Sequence, residues 1–169
     1  MFTEKYRIPV DAPRGETELL MSPVGTVVGG RDNPSDDNWQ GVESDIVLDD
    51  RLPSESLLGI EDFSHLDVVY VFHEVDPAQA VLGARHPRNR ESWPLVGIFA
   101  QRAKARPNRI GVSTCRLLGV EGRTLHVADL DAIDGTPVLD VKPHVVEMGP
   151  RGEVRQPEWM RELMEHYWQ

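Results

Sequence analysis

Short runs of β-branched and aromatic residues recur along this chain, and glycine and proline residues separate them. The most apolar of these runs, residues 66–75, has no charged side chain between Val68 and Phe72. Runs of this kind between turn-forming residues are typical of β-strands. In a chain made of many such strands, the backbone N–H and C=O groups at the strand edges need hydrogen-bond partners. We therefore expect a mainly β fold, a small barrel or sandwich closed on itself.

The pattern predicts about six or seven strands, short helices and one C-terminal helix. The strands are expected at residues 23–28, 45–48, 66–75, 96–100, 110–120, 124–130 and 137–146, with a short helix near 54–58. Pro157 can occupy the first position of the last helix. Trp159, Leu163 and Tyr167 recur there at helical spacing. This stripe predicts a contact with the core or with a dimer partner.

Three parts follow from this reading of the chain. Residues 1–21 form an N-terminal arm, residues 22–148 the β-barrel domain, and residues 149–169 a C-terminal helix that packs on the barrel or on a dimer partner. No signal-peptide pattern and no run of about 18 apolar residues is visible. Cys115 is the single cysteine, so no intrachain disulfide can form. We expect a cytoplasmic protein without a membrane segment.

Charge is distributed unevenly along the chain. The formal net charge is −10, yet residues 85–109 contain seven basic residues and one acid and carry +6. A basic segment in an acidic chain indicates a local anion site. It is equally typical of a solvated loop whose arginines pair with neighbouring acids. The sequence leaves both readings open.

Residues 99–113 form the first segment with a dense set of functional side chains. Arginines flank the turn formers Pro107 and Asn108, and Gly111 lacks a side chain where a ligand or backbone could approach. Arginines so placed can hold a carboxylate or a phosphate through two hydrogen bonds. A tight turn with exposed arginines is the alternative.

Residues 129–143 form the second segment, which contains four aspartates within twelve residues. Their spacing lacks the closing glutamate of a calcium loop, so no metal is expected. Carboxylates in a loop can instead accept a hydrogen bond from a ribose diol or an amino group. Asp140 and Lys142 alternate with apolar residues as in a strand, and a structural ion pair between them is the alternative.

These two segments resemble the sequence pattern of the TsaA/TrmO-like family. Residues 106–111 read R-P-N-R-I-G against the pattern R-P-N-P-I-G, and residues 131–144 follow D-x-x-D-G-T-P-x-x-D-I-K-P-Y. The F-S-H, F-H and H-P-R positions of the family are matched at residues 63–65, 72–73 and 86–88. The similarity extends in order from about Pro23 to Pro143.

The resemblance implies a small β-barrel that dimerises and binds S-adenosylmethionine in a cleft near the subunit interface. A well-known member methylates the exocyclic amine of a threonylcarbamoylated adenosine next to the anticodon of a tRNA. Carried over position by position, the cofactor contacts are His73, Arg102, Asn108, Gly111, Ser113, Leu130 and Asp131. The partners implied are a second copy of the chain and a tRNA, with no membrane and no metal.

The resemblance and the basic segment together give candidates for catalysis and substrate binding. An adenine amine is a weak nucleophile, so a nearby carboxylate or histidine would assist it. The candidates for this role are Asp131, Asp134 and His73. The candidates for substrate binding are the cations Arg88, Arg90, Arg106 and Lys142, with His65 as a further residue that shapes the cleft.

The chain departs from the family pattern at several positions. Arg109 replaces the second proline, and Gln101 and Ala103 replace threonine and serine beside Arg102. His144 replaces the final tyrosine of the pattern. Two alternatives therefore stay open. One is a methyltransferase of the same fold acting on a small molecule or another RNA, and the other is a non-catalytic module that binds S-adenosylmethionine.

Overall fold

The computed structural model describes residues 7–10 and 17–169 of the chain. In this part of the chain ten strands and one α-helix are present. The strands are β1 (Arg7–Val10), β2 (Thr17–Leu20), β3 (Gly25–Val28), β4 (Glu43–Leu48), β5 (His65–Val71), β6 (Ala84–Arg85), β7 (Val96–Gly97), β8 (Ile110–Glu121), β9 (Thr124–Ala128) and β10 (Pro137–Pro143). The helix α1 spans Glu158–Met164. Short 3-10 turns occupy Ser54–Leu57, Ile60–Asp62, Pro77–Gln79, Pro87–Asn89, Ile98–Ala100 and Val146–Met148.

Six of the strands close into a barrel in the order β10-β3-β4-β9-β8-β5. Each neighbouring pair is antiparallel. The twelve-residue strand β8 makes this closure possible, because its first half pairs with β5 and its second half with β9. A register shift between Leu117 and Gly119 marks the point of exchange, as a β-bulge does when it bends a strand. The prediction of a small, mainly β, closed barrel is confirmed.

The barrel interior holds the hydrophobic core. Alternate residues of the strands point inward, which is the period-two pattern that the sequence shows. The fully buried members include Val27, Ile46, Leu66, Val68, Cys115, Leu125, Val127 and Val138. Burial raises the pKa of the Cys115 thiol to about 12. This cysteine is therefore a protonated core residue rather than a nucleophile.

Some predicted boundaries differ from the structure. The strand expected at 96–100 ends at Gly97, and Ile98–Ala100 forms a 3-10 turn instead. The strand expected at 66–75 ends at Val71, because the chain turns so that the Val75 amide donates to the Phe72 carbonyl at 3.2 Å. Within the predicted N-terminal arm, β1 and β2 pair as antiparallel strands. The rest of that arm before residue 17 lies outside the described residues.

The C-terminal segment docks on two loops of the barrel domain. The backbone amides of Asn38 and Trp39 donate to the carbonyls of His166 and Tyr167, at 3.0 and 2.9 Å. The Trp93 indole Nε1 donates to a carboxylate oxygen of Glu162 in α1, at 2.7 Å. These bonds hold α1 over one face of the barrel domain. Among the residues that the structure describes, no helix has the length and apolarity needed to cross a bilayer.

Candidate functional site

A cavity of about 570 Å³ lies between the barrel and the C-terminal segment. Its walls come from the ends of β5 and β8, the loop between β9 and β10, the loop around Trp39, and α1 with the residues after it. This volume falls within the range of roughly 300–1,000 Å³ that small-molecule sites occupy. The aromatic stripe predicted for the C-terminal helix, Trp159, Leu163 and Tyr167, lines this cavity.

The Asp131 carboxylate is the polar centre of the cavity. The Tyr70 hydroxyl donates to its Oδ1 at 2.8 Å, and the Tyr167 hydroxyl donates to its Oδ2. Burial and the neighbouring Asp131 raise the pKa of both tyrosines. Both phenols therefore remain protonated donors at neutral pH. The Ser113 hydroxyl lies 3.2 Å from the Tyr70 hydroxyl and extends the network to β8.

Gly111 allows Tyr70 to reach this position. The two residues are paired across β5 and β8. A Cβ atom at position 111 would lie 2.4 Å from Cε2 of the Tyr70 ring, far inside van der Waals contact. The Tyr70 ring also packs edge-on against Phe72, with 5.4 Å between ring centroids. The predicted cofactor residue Gly111 thus shapes the site by accommodating a side chain that the sequence analysis did not select.

His73 follows β5 and faces the same cavity. Its Nδ1 lies 3.4 Å from the Thr136 hydroxyl. Burial lowers the pKa of His73, against the opposing effect of the nearby acids Glu74 and Asp134. The imidazole is therefore neutral at pH 7 and has a nitrogen lone pair that can accept a proton.

Asp134 has a different environment from Asp131. Its Oδ1 accepts a hydrogen bond from the Gly29 amide at 2.7 Å, and its own amide donates to the Arg31 carbonyl at 2.8 Å. Both bonds fix the β9–β10 loop against the segment that follows β3. Asp134 does not line the cavity. Its carboxylate contributes to the site through its charge on His73 and through the position of the loop.

Cations of the basic segment surround the cavity, and several are engaged within the chain. Arg88 donates to both carboxylate oxygens of Asp37, at 2.7 and 2.9 Å. This contact, together with the charge of Asp36, raises the pKa of Arg88 despite partial burial. Lys104 lies 3.5 Å from Asp36, and Arg102 donates to the Val112 carbonyl. The reading in which basic residues pair with neighbouring acids holds for Arg88 and Lys104.

The structure brings together some of the predicted site residues. Those that line the cavity are His73, Arg88, Arg102, Ser113 and Asp131. Those that do not line it are Arg90, Arg106, Asn108, Gly111, Leu130, Asp134 and Lys142. Leu130 is fully buried in the core, and Arg106 donates to the Gln101 carbonyl at 3.1 Å. Lys142 forms an ion pair with Asp140 on β10, which is the structural alternative considered for these two residues.

The sequence analysis missed several residues of the site. Tyr70 was read only as a strand residue, and Tyr167 only as part of a helical stripe. The loop aromatic Trp39 and the first cation of the basic segment, Arg85, also line the cavity. Among the described residues, no group of three histidine, cysteine, aspartate or glutamate side chains is placed to hold a metal ion. That the protein needs no metal stays a prediction.

The fold and the cavity together define a closed antiparallel barrel protein with a cavity of the size of a small-molecule site, aromatic in its walls and acidic at its centre. Residues 31–149 match the family described as the tRNA-methyltransferase O N-terminal domain, and the chain belongs to this family. The resemblance to the TsaA/TrmO-like pattern is thereby confirmed.

Individual relatives agree with this assignment. A probable S-adenosyl-L-methionine-binding protein of Pyrococcus abyssi is 43% identical over 102 residues, which are 60% of this chain and 53% of that protein. The tRNA (adenine(37)-N6)-methyltransferase of Homo sapiens is 36% identical over 62% of this chain and 23% of its own length. The crystal structure of TrmO from Pseudomonas aeruginosa matches with a TM-score of 0.64 at 30% identity, over 80% of this chain and 60% of that one. The chain thus aligns with about half of the Pyrococcus protein and about a quarter of the human one.

Proposed function

We propose that this protein is an S-adenosylmethionine-dependent methyltransferase that binds its cofactor in the cavity around Asp131. The observation that carries the proposal is a carboxylate held by two tyrosine hydroxyls inside a cavity of cofactor size, in a chain of this family. The names of the Pyrococcus abyssi and human relatives supply the cofactor and the reaction.

The residues of the cavity fit such a cofactor chemically. S-adenosylmethionine carries a positive sulfonium and an ammonium group, and the Asp131 carboxylate offers the opposite charge in a site of low polarity. Tyr70, Phe72 and Ile133 provide apolar surface for the adenine. When bound, the sulfonium supplies an electrophilic methyl group. Ser113 and Arg102 lie in the same wall, as the family resemblance implies for cofactor contacts.

In the reaction, the residues of the chain position the methyl acceptor against the cofactor, exclude water and accept a proton. His73 suits the last task best, because its lowered pKa keeps the imidazole neutral. Asp131 is less suited as a base, because both of its oxygens already accept hydrogen bonds from phenols. We assign Asp131 to electrostatic binding of the cofactor's positive charge, and Asp134 to the position of the loop and the charge near His73.

The proposed methyl acceptor is the exocyclic amine of a threonylcarbamoylated adenosine next to the anticodon of a tRNA. The human relative's name, which specifies adenine 37 of tRNA, supports this substrate class. Positive side chains that line the cavity, among them Arg85 and Arg102, would attract a polyanion. A cytoplasmic location is part of the same proposal.

One observation favours a second candidate, a methyltransferase that acts on a small molecule or on another RNA. Arg88 forms an ion pair with Asp37, and Lys104 forms one with Asp36, so both positive charges are already compensated within the chain. Outside residues 85–109 the chain carries −16, which opposes a large polyanion. A measurement of turnover distinguishes both candidates from a non-catalytic cofactor-binding module, which would bind the cofactor without transferring its methyl group.

We also propose a homodimer, on the family resemblance alone. The stripe formed by Trp159 and Leu163 of α1 and by Tyr167 after the helix lines the chain's own cavity, so it gives no independent support to a dimer. Light scattering at micromolar concentration is expected to give twice the chain mass of 19.0 kDa. A value equal to the chain mass contradicts the dimer.

The cofactor proposal is tested by calorimetry with S-adenosylmethionine and S-adenosylhomocysteine, before and after treatment with a chelator. Binding unaffected by the chelator is expected, and the absence of heat with both ligands contradicts the proposal. The acceptor is tested by mass spectrometry of tRNA nucleosides from a deletion strain, with and without the restored gene. A methylated threonylcarbamoyladenosine that disappears and returns with the gene is the expected result.

A further inference from the structure

Arg85 is a cavity-lining cation whose Nε is left without a partner. The atom is buried from solvent and makes no hydrogen bond within the described residues. No ion pair to Arg85 occurs in that part of the chain either. A buried charged donor without an acceptor is unfavourable, and native structures rarely leave one unless water, an ion or a ligand completes it.

The other cations of the cavity wall are in a different state. Arg88 is held by Asp37, Lys104 lies beside Asp36, and Arg102 donates to the Val112 carbonyl. Each of them has an acceptor supplied by the chain. Arg85 is therefore the cation of this wall whose hydrogen-bonding capacity the described residues do not use.

The backbone of Arg85 is firmly placed. The residue pairs with Val96 between β6 and β7. Its carbonyl accepts a hydrogen bond from Nε2 of Gln101 at 3.0 Å, and the same amide nitrogen donates to the Val96 carbonyl at 3.1 Å. Gln101 is buried. A buried side chain thus fixes the short sheet that presents Arg85 to the cavity.

We propose that Arg85 binds a carboxylate or phosphate group of a ligand in this cavity. An arginine favours such anions because its guanidinium presents parallel donors to two oxygens. The same cavity holds the Asp131 carboxylate, so its walls offer one group for a positive and one for a negative charge. This pair of groups suits the ammonium and carboxylate ends of an amino acid. The inference rests on the proposed function, since two sources can supply the anion there: the methionine carboxylate of the cofactor, or an anionic group of the methyl acceptor.

The test compares the full-length protein with its Arg85→Gln and Arg85→Lys variants by calorimetry. The probes are S-adenosylhomocysteine, which has the amino acid end, and methylthioadenosine, which lacks it. If Arg85 binds the cofactor carboxylate, Arg85→Gln lowers the affinity for S-adenosylhomocysteine by about tenfold to a hundredfold. The affinity for methylthioadenosine then stays unchanged. Arg85→Lys keeps the charge and is expected to retain part of the affinity. Arg155→Gln is the matched control, because the Arg155 side chain is 85% exposed and lies outside the cavity.

A second arm tests the acceptor as the source of the anion. Unmodified and threonylcarbamoylated tRNA are titrated against the same variants in a filter-binding assay. Weaker tRNA binding with unchanged binding of both nucleosides assigns Arg85 to the acceptor. If Arg85→Gln changes neither nucleoside nor tRNA affinity, the proposal is overturned. Equal weakening of both nucleosides together with a lower melting temperature indicates a structural role and also overturns it.

Failure of the proposed function gives a different result. In that case the unaltered protein binds neither nucleoside, and the tRNA arm alone decides about Arg85. Thermal melting of the ligand-free protein checks the fold. Arg85→Gln is expected to melt no lower than the unaltered protein, because the Arg85 side chain forms no ion pair, and its buried Nε no hydrogen bond, within the described residues.

Discussion

At the scale of single residues, His73 is the group whose ionisation the environment sets for proton transfer. Burial lowers the pKa of its imidazole below the ordinary 6.5. A base works in its deprotonated form, so the rate rises with pH through this pKa and is constant above it. We expect kcat to increase with pH with a midpoint below 6.5. We expect His73→Gln to lower kcat by about 10²–10⁴-fold.

His126→Gln is the control for this experiment. The His126 ring contacts Asp45 on the barrel wall, at 2.6 Å, and lies outside the cavity. The control is expected to keep the rate and the pH profile. A midpoint that stays unchanged in His73→Gln, at a normal kcat, would show that another group or water accepts the proton.

Gly111 offers a second residue-scale prediction, on packing. Gly111→Ala places a methyl group 2.4 Å from the Tyr70 ring, which must then move away from Asp131. We expect the free energy of unfolding to fall by about 1–3 kcal/mol, as overpacked cores do, and cofactor affinity to fall as well. Denaturant unfolding and calorimetry measure the two effects. Gly97→Ala is the control, since a Cβ there meets nothing within 4 Å; equal effects of both substitutions would exclude the Tyr70 explanation.

Single residues also show what the sequence could not reveal. The resemblance predicted Asp131, but it did not select Tyr70, because the two residues are 61 positions apart in the sequence and nothing in it indicates their contact. Arg109 replaces a proline of the family pattern and has φ of +52°. A proline cannot adopt that angle, so this turn differs from the one that the pattern implies. Its guanidinium donates to the Val75 carbonyl at 2.8 Å, which nothing in the local sequence indicates.

At the scale of elements, strands that line the barrel were the most predictable. β4, β8 and β9 bury alternate residues, and this alternation is visible in the sequence. The prediction of a strand at residues 96–100 was wrong beyond Gly97, because the apolar residues of this segment fit either a strand or a turn. The buried Gln101 favours the turn. Its side chain donates to two backbone carbonyls, and its backbone amide donates to the Ile98 carbonyl at 3.1 Å.

The C-terminal element carries the third prediction. Tyr167→Phe keeps the ring but removes the hydroxyl that donates to Asp131. An acceptor that is charged and partly buried then loses one partner. We expect the free energy of unfolding to fall by about 1–3 kcal/mol and the affinity for S-adenosylhomocysteine to fall several-fold, because the carboxylate is less firmly oriented.

His166→Ala is the matched control for Tyr167→Phe. The His166 ring contacts the side chain of Gln169 at 3.0 Å, outside the cavity. Its backbone carbonyl, which accepts from Asn38, is kept. Unchanged stability and affinity are expected. If Tyr167→Phe behaves like this control, the C-terminal segment covers the cavity without orienting Asp131.

At the scale of the whole molecule, charge decides whether a tRNA can approach. The net charge of −10 repels a polyanion, and residues 85–109 provide the opposite field. The two arginines predicted to bind substrate differ in what the fold leaves free. Arg88 is neutralised by Asp37, whereas Arg90 is exposed and stacks on the Trp93 ring, 4.6 Å from its centroid, without an acidic partner among the described residues.

This difference gives the last prediction. Each phosphate that a cation neutralises releases counterions, so the logarithm of tRNA affinity falls linearly with the logarithm of salt concentration, by about 0.7–0.9 per contact. We expect Arg90→Ala to reduce that slope by about one contact and to leave cofactor affinity unchanged. Arg88→Ala is expected to leave the slope nearly as it is, because its charge is already compensated, and to weaken binding at every salt concentration by uncovering Asp36 and Asp37. Filter binding across a salt series measures both. If tRNA does not bind even at low salt, the proposal of a tRNA acceptor is contradicted. The proposal of a cofactor site around Asp131 is tested separately, by calorimetry.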